Sequence, residues 1–185
     1  ANYATVFHSG DFSSKEDVLE FGRKMDIVTI EIEHIDTTAL HQLVAEGVKV
    51  YPQPDKIDLI KDKGLQKQFY ADEGIATSDF SLYANAEEVR GAISSGEITL
   101  PFVQKARTGG YDGQGVAVIR NEQDVNAKLL DCPCVVEALV DIAKELAVIV
   151  TRTPSGAISV FPTVEMEFHP TANLVEFLIC PAAIN

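Results

Sequence analysis

Four glycines fall within seven residues, Gly109 to Gly115, in the stretch Lys105-Ala106-Arg107-Thr108-Gly109-Gly110-Tyr111-Asp112-Gly113-Gln114-Gly115-Val116. An apolar, β-rich run precedes them (Ile98 to Val103), and another follows (Val116 to Ile119). Glycine loses more backbone freedom on folding than any other residue, so such a cluster between two strands needs a cause. Close approach of the backbone to an anion is one, because successive unpaired N–H groups form a concavity for phosphate oxygens. Lys105 and Arg107 put fixed positive charge beside it. The stretch is not a P-loop: no Lys-Ser/Thr pair follows the last glycine, and a strand stands where a P-loop has a helix. The partner motifs of a protein kinase are absent downstream. A plain hairpin turn is the bland alternative, but it leaves the number of glycines and the two cations unexplained.

The rest of the chain supplies a frame for this loop. Ser13-Ser14-Lys15-Glu16 reads as a capping box, with Glu16 reaching back, for a helix running to about Lys24. Asp26 to Ile30 reads as a buried strand, Asp36 as the cap of a helix from Thr37 to Ala45 stopped by Gly47, and Val48 to Tyr51 as a second strand. This βαβ rhythm predicts a parallel sheet covered by helices. Glu31 and Glu33 lie at a strand's carboxyl end, where open α/β sheets bind ligands, but read better as solvated acids. Residues 55 to 74 are predicted helical, with Asp55 and Asp62 as caps, a break near Asp62, and Leu65, Phe69 and Tyr70 on an apolar face. Lys56, Lys61, Lys63 and Lys67 make this the most basic stretch, read from the residues alone as a solvated helix face.

A β-α-β-loop-β-α-β lobe of about 60 residues follows, an ordinary size for a small α/β unit. Its elements are Phe80 to Tyr83, a helix capped by Asn85 and closed by Gly96, Ile98 to Lys105, the glycine loop, Val116 to Arg120, a helix from Glu122 to Leu130 capped by Asn121, and Val135 to Val140. Beyond it, Glu145 to Thr153, Ala157 to Pro162 and Leu174 to Cys180 are β runs. Pro154-Ser155-Gly156 marks a hairpin, so a second, antiparallel sheet is expected. The fold class is α/β, α+β overall. Two or three strands make a poor opening sheet, so the chain is expected to begin partway through its first domain.

Composition excludes several functions. With net charge −13 and only 15 Lys plus Arg, the chain lacks the basic surface of a nucleic-acid binder. No apolar run of about eighteen residues suggests a membrane span, and no signal peptide is visible. Cys132, Cys134 and Cys180 suggest no disulfide framework, and Cys132-Pro133-Cys134 is too closely spaced for half a zinc site, so buried or inert thiols in a reducing, cytoplasmic setting are expected.

The stretch from Lys105 to Gly115 closely resembles the glycine-rich loop of the ATP-grasp ligases, and most of all that of the 5-(carboxyamino)imidazole ribonucleotide synthetase family. Val28 to Ile35 is similar to that family's Glu-x-Glu strand end, Val50 to Pro54 to its linker, Val136 to Val140 to its nucleotide hinge, and Lys144 to Val150 to its ribose-binding strand. Phe161 to Glu165 and Cys180-Pro181-Ala182 continue the likeness, whereas Met166 to Asn173 is longer than the family's form. The resemblance divides the chain into the end of a Rossmann-like pre-ATP-grasp domain (1–54), a helical linker (55–76), the ATP-grasp small lobe (77–136), and the hinge with the first portion of the large lobe (137–185). It implies an ATP-dependent ligase forming a C–N bond in purine biosynthesis, using bicarbonate and 5-aminoimidazole ribonucleotide through carboxyphosphate, with Mg²⁺, in the cytoplasm and as a homodimer.

The same resemblance implies roles. Gly110, Tyr111, Asp112, Gly113, Gln114, Gly115 and Val116 would close over the β- and γ-phosphates, with Lys105 and Lys63 on the α- and β-phosphates. The backbone of Ala138, Leu139 and Val140, flanked by Glu137, would read adenine. Glu145 would hold the ribose, and His169 stands for a nucleotide-contacting histidine. Metal-binding carboxylates are expected beyond Asn185, so this polypeptide alone is expected to bind nucleotide without turnover. Another ATP-grasp ligase, acting on glycinamide ribonucleotide or resembling biotin carboxylase, is the nearest alternative.

Overall fold

The computed structural model describes residues 3–110, 115–169 and 174–184. The first unit contains α1 (Lys15–Gly22), β1 (Ile27–Thr29), α2 (Thr37–Ala45) and β2 (Lys49–Tyr51). The two strands pair in parallel, Val28 opposite Val50, as the βαβ rhythm predicts. Asp36 caps α2 through the Ala39 N–H, and Gly47 follows it at φ 93°. Leu40 and Leu43 on α2 are fully buried and pack on Val18, Leu19, Val28 and Val50. The α1 cap differs from expectation: Ser14 accepts from the Asp17 N–H, and it is Asp17, not Glu16, that reaches back, to Ser14 and to the Asp11 N–H. Glu16 lies one position short of the third helical residue, which faces the cap.

The break near Asp62 is present. α3 (Pro54–Lys61) and α4 (Lys63–Asp72) meet there, and Asp62 caps α4 through the N–H groups of Gly64 and Leu65. The first helix is headed by Gln53 with Pro54 inside it, not by an Asp55 cap. Of the four lysines only Lys56 is an exposed, ion-paired side chain as expected. Lys61 donates to the Ile35 carbonyl, Lys63 is half-buried, and the Lys67 side chain is only 12% exposed. The expected apolar face of α4 is instead outward, with Leu65 and Phe69 exposed.

The second unit is a four-stranded antiparallel sheet in the order β3 (Phe80–Tyr83), β6 (Cys134–Ala138), β4 (Phe102–Ala106), β5 (Val116–Ile119). α5 (Ala86–Ser95) and α6 (Glu122–Lys128) lie between its strands in sequence. Asn85 and Asn121 cap these helices, and Gly96 closes α5 in the left-handed region. The expected strand from Ile98 begins four residues later, because the Ile98 N–H closes α5 onto Ala92 and Pro101 has no N–H to give a ladder. One face of the sheet carries Phe102, Ile119, Cys134 and Val136 into a core with Val89 and Val125. Gln104, fully buried in that face, donates to the Leu130 carbonyl and accepts from its N–H.

Beyond residue 144 the expected single antiparallel sheet is two. β7 (Glu145–Ala147) pairs with β10 (Val164–Phe168), which pairs with β11 (Val175–Ile179). β8 (Val150–Arg152) and β9 (Ile158–Val160) form a separate hairpin turning at Gly156. The run Glu145 to Thr153 thus serves both sheets. β10 is absent from the sequence expectation, although Val164, Met166 and Phe168 alternate with Glu165 and Glu167. No helix among the described residues is long and apolar enough to cross a membrane.

Two apolar-to-alanine truncations on α2 separate core from surface. Leu40→Ala is expected to lower stability in urea unfolding by about 2–5 kcal/mol, whereas Val44→Ala, at an exposed position, should stay within about 0.5 kcal/mol.

Candidate functional site

Side chains alternate across a strand, so the parity that sends Phe102, Gln104 and Val136 into the core sends Lys105 and Glu137 to the opposite face. β4 and β6 run antiparallel with Lys105 opposite Val135 and Val103 opposite Glu137, which makes Lys105 and Glu137 diagonal neighbours. Their ends meet as an ion pair, Lys105 Nζ to Glu137 Oε1, 3.1 Å. α4 packs on β6 from this same side. Its Lys67 places Nζ 3.2 Å from the other oxygen, Glu137 Oε2. Lys67 also donates to Thr77 Oγ1 at 2.6 Å and Ser78 Oγ at 2.9 Å, and lies 5.9 Å from the Phe80 ring centre. Ser78 in turn donates to Glu137 Oε2 at 3.0 Å.

The Glu137 side chain is 9% exposed. Burial pushes its carboxyl up, but Lys105 and then Lys67 outweigh this and hold it below the ordinary carboxylate range. One carboxylate therefore stays ionised between two ammoniums. Lys67 was not among the residues singled out for the site from the sequence. Its i,i+4 spacing from Lys63 was the available signal that both lysines share a helix face.

A second pair frames the glycine loop. Arg107, just past β4, makes a bidentate contact to Asp62, Nε to Oδ1 at 2.9 Å and Nη2 to Oδ2 at 2.6 Å. The Lys63 N–H donates to the Arg107 carbonyl at 2.8 Å, so the head of α4 is tied to the strand that leads into the loop. Gly64 makes room for this: a Cβ there would stand 2.7 Å from Arg107 Nε. Arg107, expected to lend charge to an anion, is thus already neutralised. Burial raises the Asp62 carboxyl, but Arg107 and the Leu65 and Gly64 N–H groups pull it below the ordinary range.

The neck of the loop is closed by the Ala106 N–H on the Gly115 carbonyl at 2.8 Å. Gly109 and Gly115 have φ of 74° and 73°, which only glycine adopts freely. A Cβ on Gly115 would crowd Ala106 and Gly110. Val116 pairs opposite Lys105. Tyr111, Asp112, Gly113 and Gln114 lie outside the described residues. Ala138 ends β6, its N–H on the Asp79 carbonyl, and Leu139 and Val140 continue from it. A cavity of about 310 Å³ opens there, its walls including Asp79, Phe80, Thr99, Phe102, Glu137 and Ala138. A larger one, about 360 Å³, lies between α1 and β1 and shares no residue with it.

Lys105, Glu137, the loop neck and the head of α4 are therefore brought together by direct contacts. Glu145 starts β7 and His169 follows β10, both in the β7–β10–β11 sheet. Glu145 is exposed at the start of β7, beside Lys144, which binds both oxygens of Glu165 at 2.8 and 2.7 Å. His169 follows a bulge in the β10–β11 ladder, with its N–H on the Leu174 carbonyl. Among the described residues no three His, Cys, Asp or Glu side chains converge as a metal site. Cys134 is buried, Cys132 half-buried and Cys180 exposed, all as free thiols.

Comparison with known proteins gives two family matches. The ATP-grasp domain model matches residues 68–184, and the ribonucleotide synthetase preATP-grasp domain model matches residues 1–61. The chain is 36% identical over 184 residues to phosphoribosylaminoimidazole carboxylase of Ogataea methanolica, covering 95% of this chain and 33% of that protein. It superposes on N5-carboxyaminoimidazole synthetase from Staphylococcus aureus complexed with ADP with a TM-score of 0.85 at 28% identity, covering 98% of this chain and 48% of that one. N5-carboxyaminoimidazole synthase from Aspergillus clavatus, in complex with ADP and 5-aminoimidazole ribonucleotide, gives a TM-score of 0.76 at 28% identity, covering 88% and 42%. The chain spans a third to a half of the length of these relatives.

The Asp62–Arg107 pair carries a pH signature. A depressed folded-state pKa contributes stability that is complete above the unfolded value of about 4 and is lost as pH falls through the folded value. The urea midpoint should hold from pH 7 to about 5 and fall below about 4. Asp62→Asn keeps a good cap but removes the charge, so it should lower stability at pH 7 by about 1–2 kcal/mol and make the acid fall shallower. Unfolding curves across this range check both.

Proposed function

The chain belongs to the ATP-grasp family, and from that premise we propose that it forms the phosphate-gripping portion of a ligase that carboxylates 5-aminoimidazole ribonucleotide with bicarbonate, driven by ATP. The observation that supports this best is the juxtaposition of Lys105 with the neck of the glycine loop, on the sheet face not filled by the core. The names and bound molecules of the relatives point the same way: an ADP complex, and a complex with ADP and 5-aminoimidazole ribonucleotide.

In this reading the main-chain N–H groups from Gly110 to Val116 cradle the β- and γ-phosphates. Lys105 and Lys63 neutralise the phosphate chain from the strand and from the head of α4. Ala138 to Val140 offer main-chain donors and acceptors to adenine beside the hinge cavity. Glu145 accepts from the ribose hydroxyls, and His169 contributes from the second sheet. Bicarbonate oxygen attacks the γ-phosphorus, ADP leaves, and the substrate amine then attacks the carboxyl carbon of carboxyphosphate with loss of phosphate. The work of this chain in that sequence is positioning and charge neutralisation. Mg²⁺ belongs to the proposal as a charge carried with the nucleotide; the described residues offer no ligand set for it. Cytoplasmic location and homodimeric assembly complete the proposal by family resemblance.

Calorimetric titration with Mg-ATP tests the core of this reading. Replacing Lys105 with Ala removes a charge-assisted contact of about 1.5–3 kcal/mol, so affinity should fall roughly 10- to 100-fold. Equal affinity in wild type and variant would sink the assignment of the cleft.

A further inference from the structure

Glu137 poses a problem for a phosphate site. A carboxylate 3.1 Å from Lys105 competes with phosphate for the cation that should bind it. Alone, the pair sums to zero charge. Lys67 changes the sum: two ammoniums on one carboxylate leave a net charge of +1. The two lysines also take different oxygens of Glu137, and the Lys67 side is reinforced by Ser78.

We propose that Lys67 is a positioning residue for nucleotide binding: it neutralises Glu137 from α4, on the same sheet face, so that the Lys105 charge is surplus and available to the phosphate chain. This inference rests on the ATP-grasp reading of the cleft and assigns a role to a residue outside the proposed ligand contacts. Three features distinguish it from a fold-stabilising pair. Lys67 is not the sole anchor of α4, whose head is fixed separately by the Asp62–Arg107 pair and by the Lys63 N–H on Arg107. Its three N–H donors go to Thr77, Ser78 and Glu137, so the ammonium is saturated and turned away from any ligand role of its own. And Lys105 keeps an exposed side, 32% of its side chain, while Lys67 does not.

The test compares Mg-ADP with adenosine, which shares the base and ribose but carries no phosphate, by calorimetric titration of the wild-type chain and three variants, with folding checked by circular dichroism. In Lys67→Met, Glu137 captures Lys105, and ADP affinity should fall about tenfold or more while adenosine affinity stays within about twofold. Lys67→Arg keeps the charge and should bind ADP within about threefold of wild type. Lys67→Met combined with Glu137→Gln restores a net charge of +1 and should recover ADP affinity to within about threefold of wild type, an outcome that a purely structural role does not produce. The double variant also decides the matter if the single Met variant does not fold, because it leaves no buried carboxylate short of a partner. Unchanged ADP affinity in a folded Lys67→Met, a parallel loss of adenosine and ADP binding, or a double variant that stays weak each overturns the inference alone. A wild-type chain that binds neither ligand overturns it together with the reading beneath it.

Discussion

A buried carboxylate must be paired, because taking an isolated charge out of water costs far more than any single contact returns. Glu137 obeys this by drawing partners from three places in the chain: Lys105 on β4, Lys67 on α4, and Ser78 ahead of β3. The sheet register makes the first pairing unavoidable, since Val103 opposite Glu137 leaves Lys105 one diagonal step away on the same face. The second fixes α4 against β6. The cluster therefore couples the strand before the glycine loop, the strand before the hinge, and the linker helix, so these elements cannot shift independently without uncovering a charge.

The Asp62–Arg107 pair has a complementary role at the head of α4. Asp62 closes that helix and grips a guanidinium from the end of β4, and Gly64 lets the two planes approach. With the Ala106–Gly115 bond across the neck, the loop departs from a fixed base on both sides. A site that closes on a ligand needs such a base: donors that must be aimed during binding lose affinity to the ordering, whereas donors already aimed do not.

How far the sequence disclosed this depended on whether the signal was local. α2, α5 and β3 were legible to the residue because a capping side chain or a following glycine marks each helix end and Phe80 to Tyr83 stands between turns. That Lys105 stands at the neck of the glycine loop was legible because the two fall within a dozen residues. The partner of Lys67 was not, since Glu137 lies seventy positions away and only the folded sheet joins them. The same holds for Arg107, which as a bare residue looks like a phosphate ligand and in the fold belongs to Asp62. The splitting of Glu145 to Thr153 between two sheets had no local mark either, because Leu146-Ala147-Val148-Ile149 carries no glycine or proline to end a strand. β10 is a different case: its alternation of apolar residues with Glu165 and Glu167 is a local mark, and a strand could have been read from it.

Charge pairing also bears on how a chain of net charge −13 could carry the proposed polyanion site. At physiological salt, charges beyond about 8 Å are largely screened, so the acidic surface counts for less than the few groups lining the cleft. Of the four cations near the loop, Arg107 is cancelled by Asp62, and Lys67 and Lys105 share the single carboxylate of Glu137. In the proposed reading the surplus charge of that cluster falls to Lys105, the more exposed of the two, with Lys63, which has no ion pair among the described residues, at the head of α4. On that reading Arg107 and Lys67 hold the geometry, and Lys105 and Lys63 supply the field. Were the pairing exchanged, with Glu137 neutralising Lys105 and Lys67 left over, the same residues would place the surplus charge under α4, where its hydroxyl and carboxylate partners surround it and no phosphate can reach.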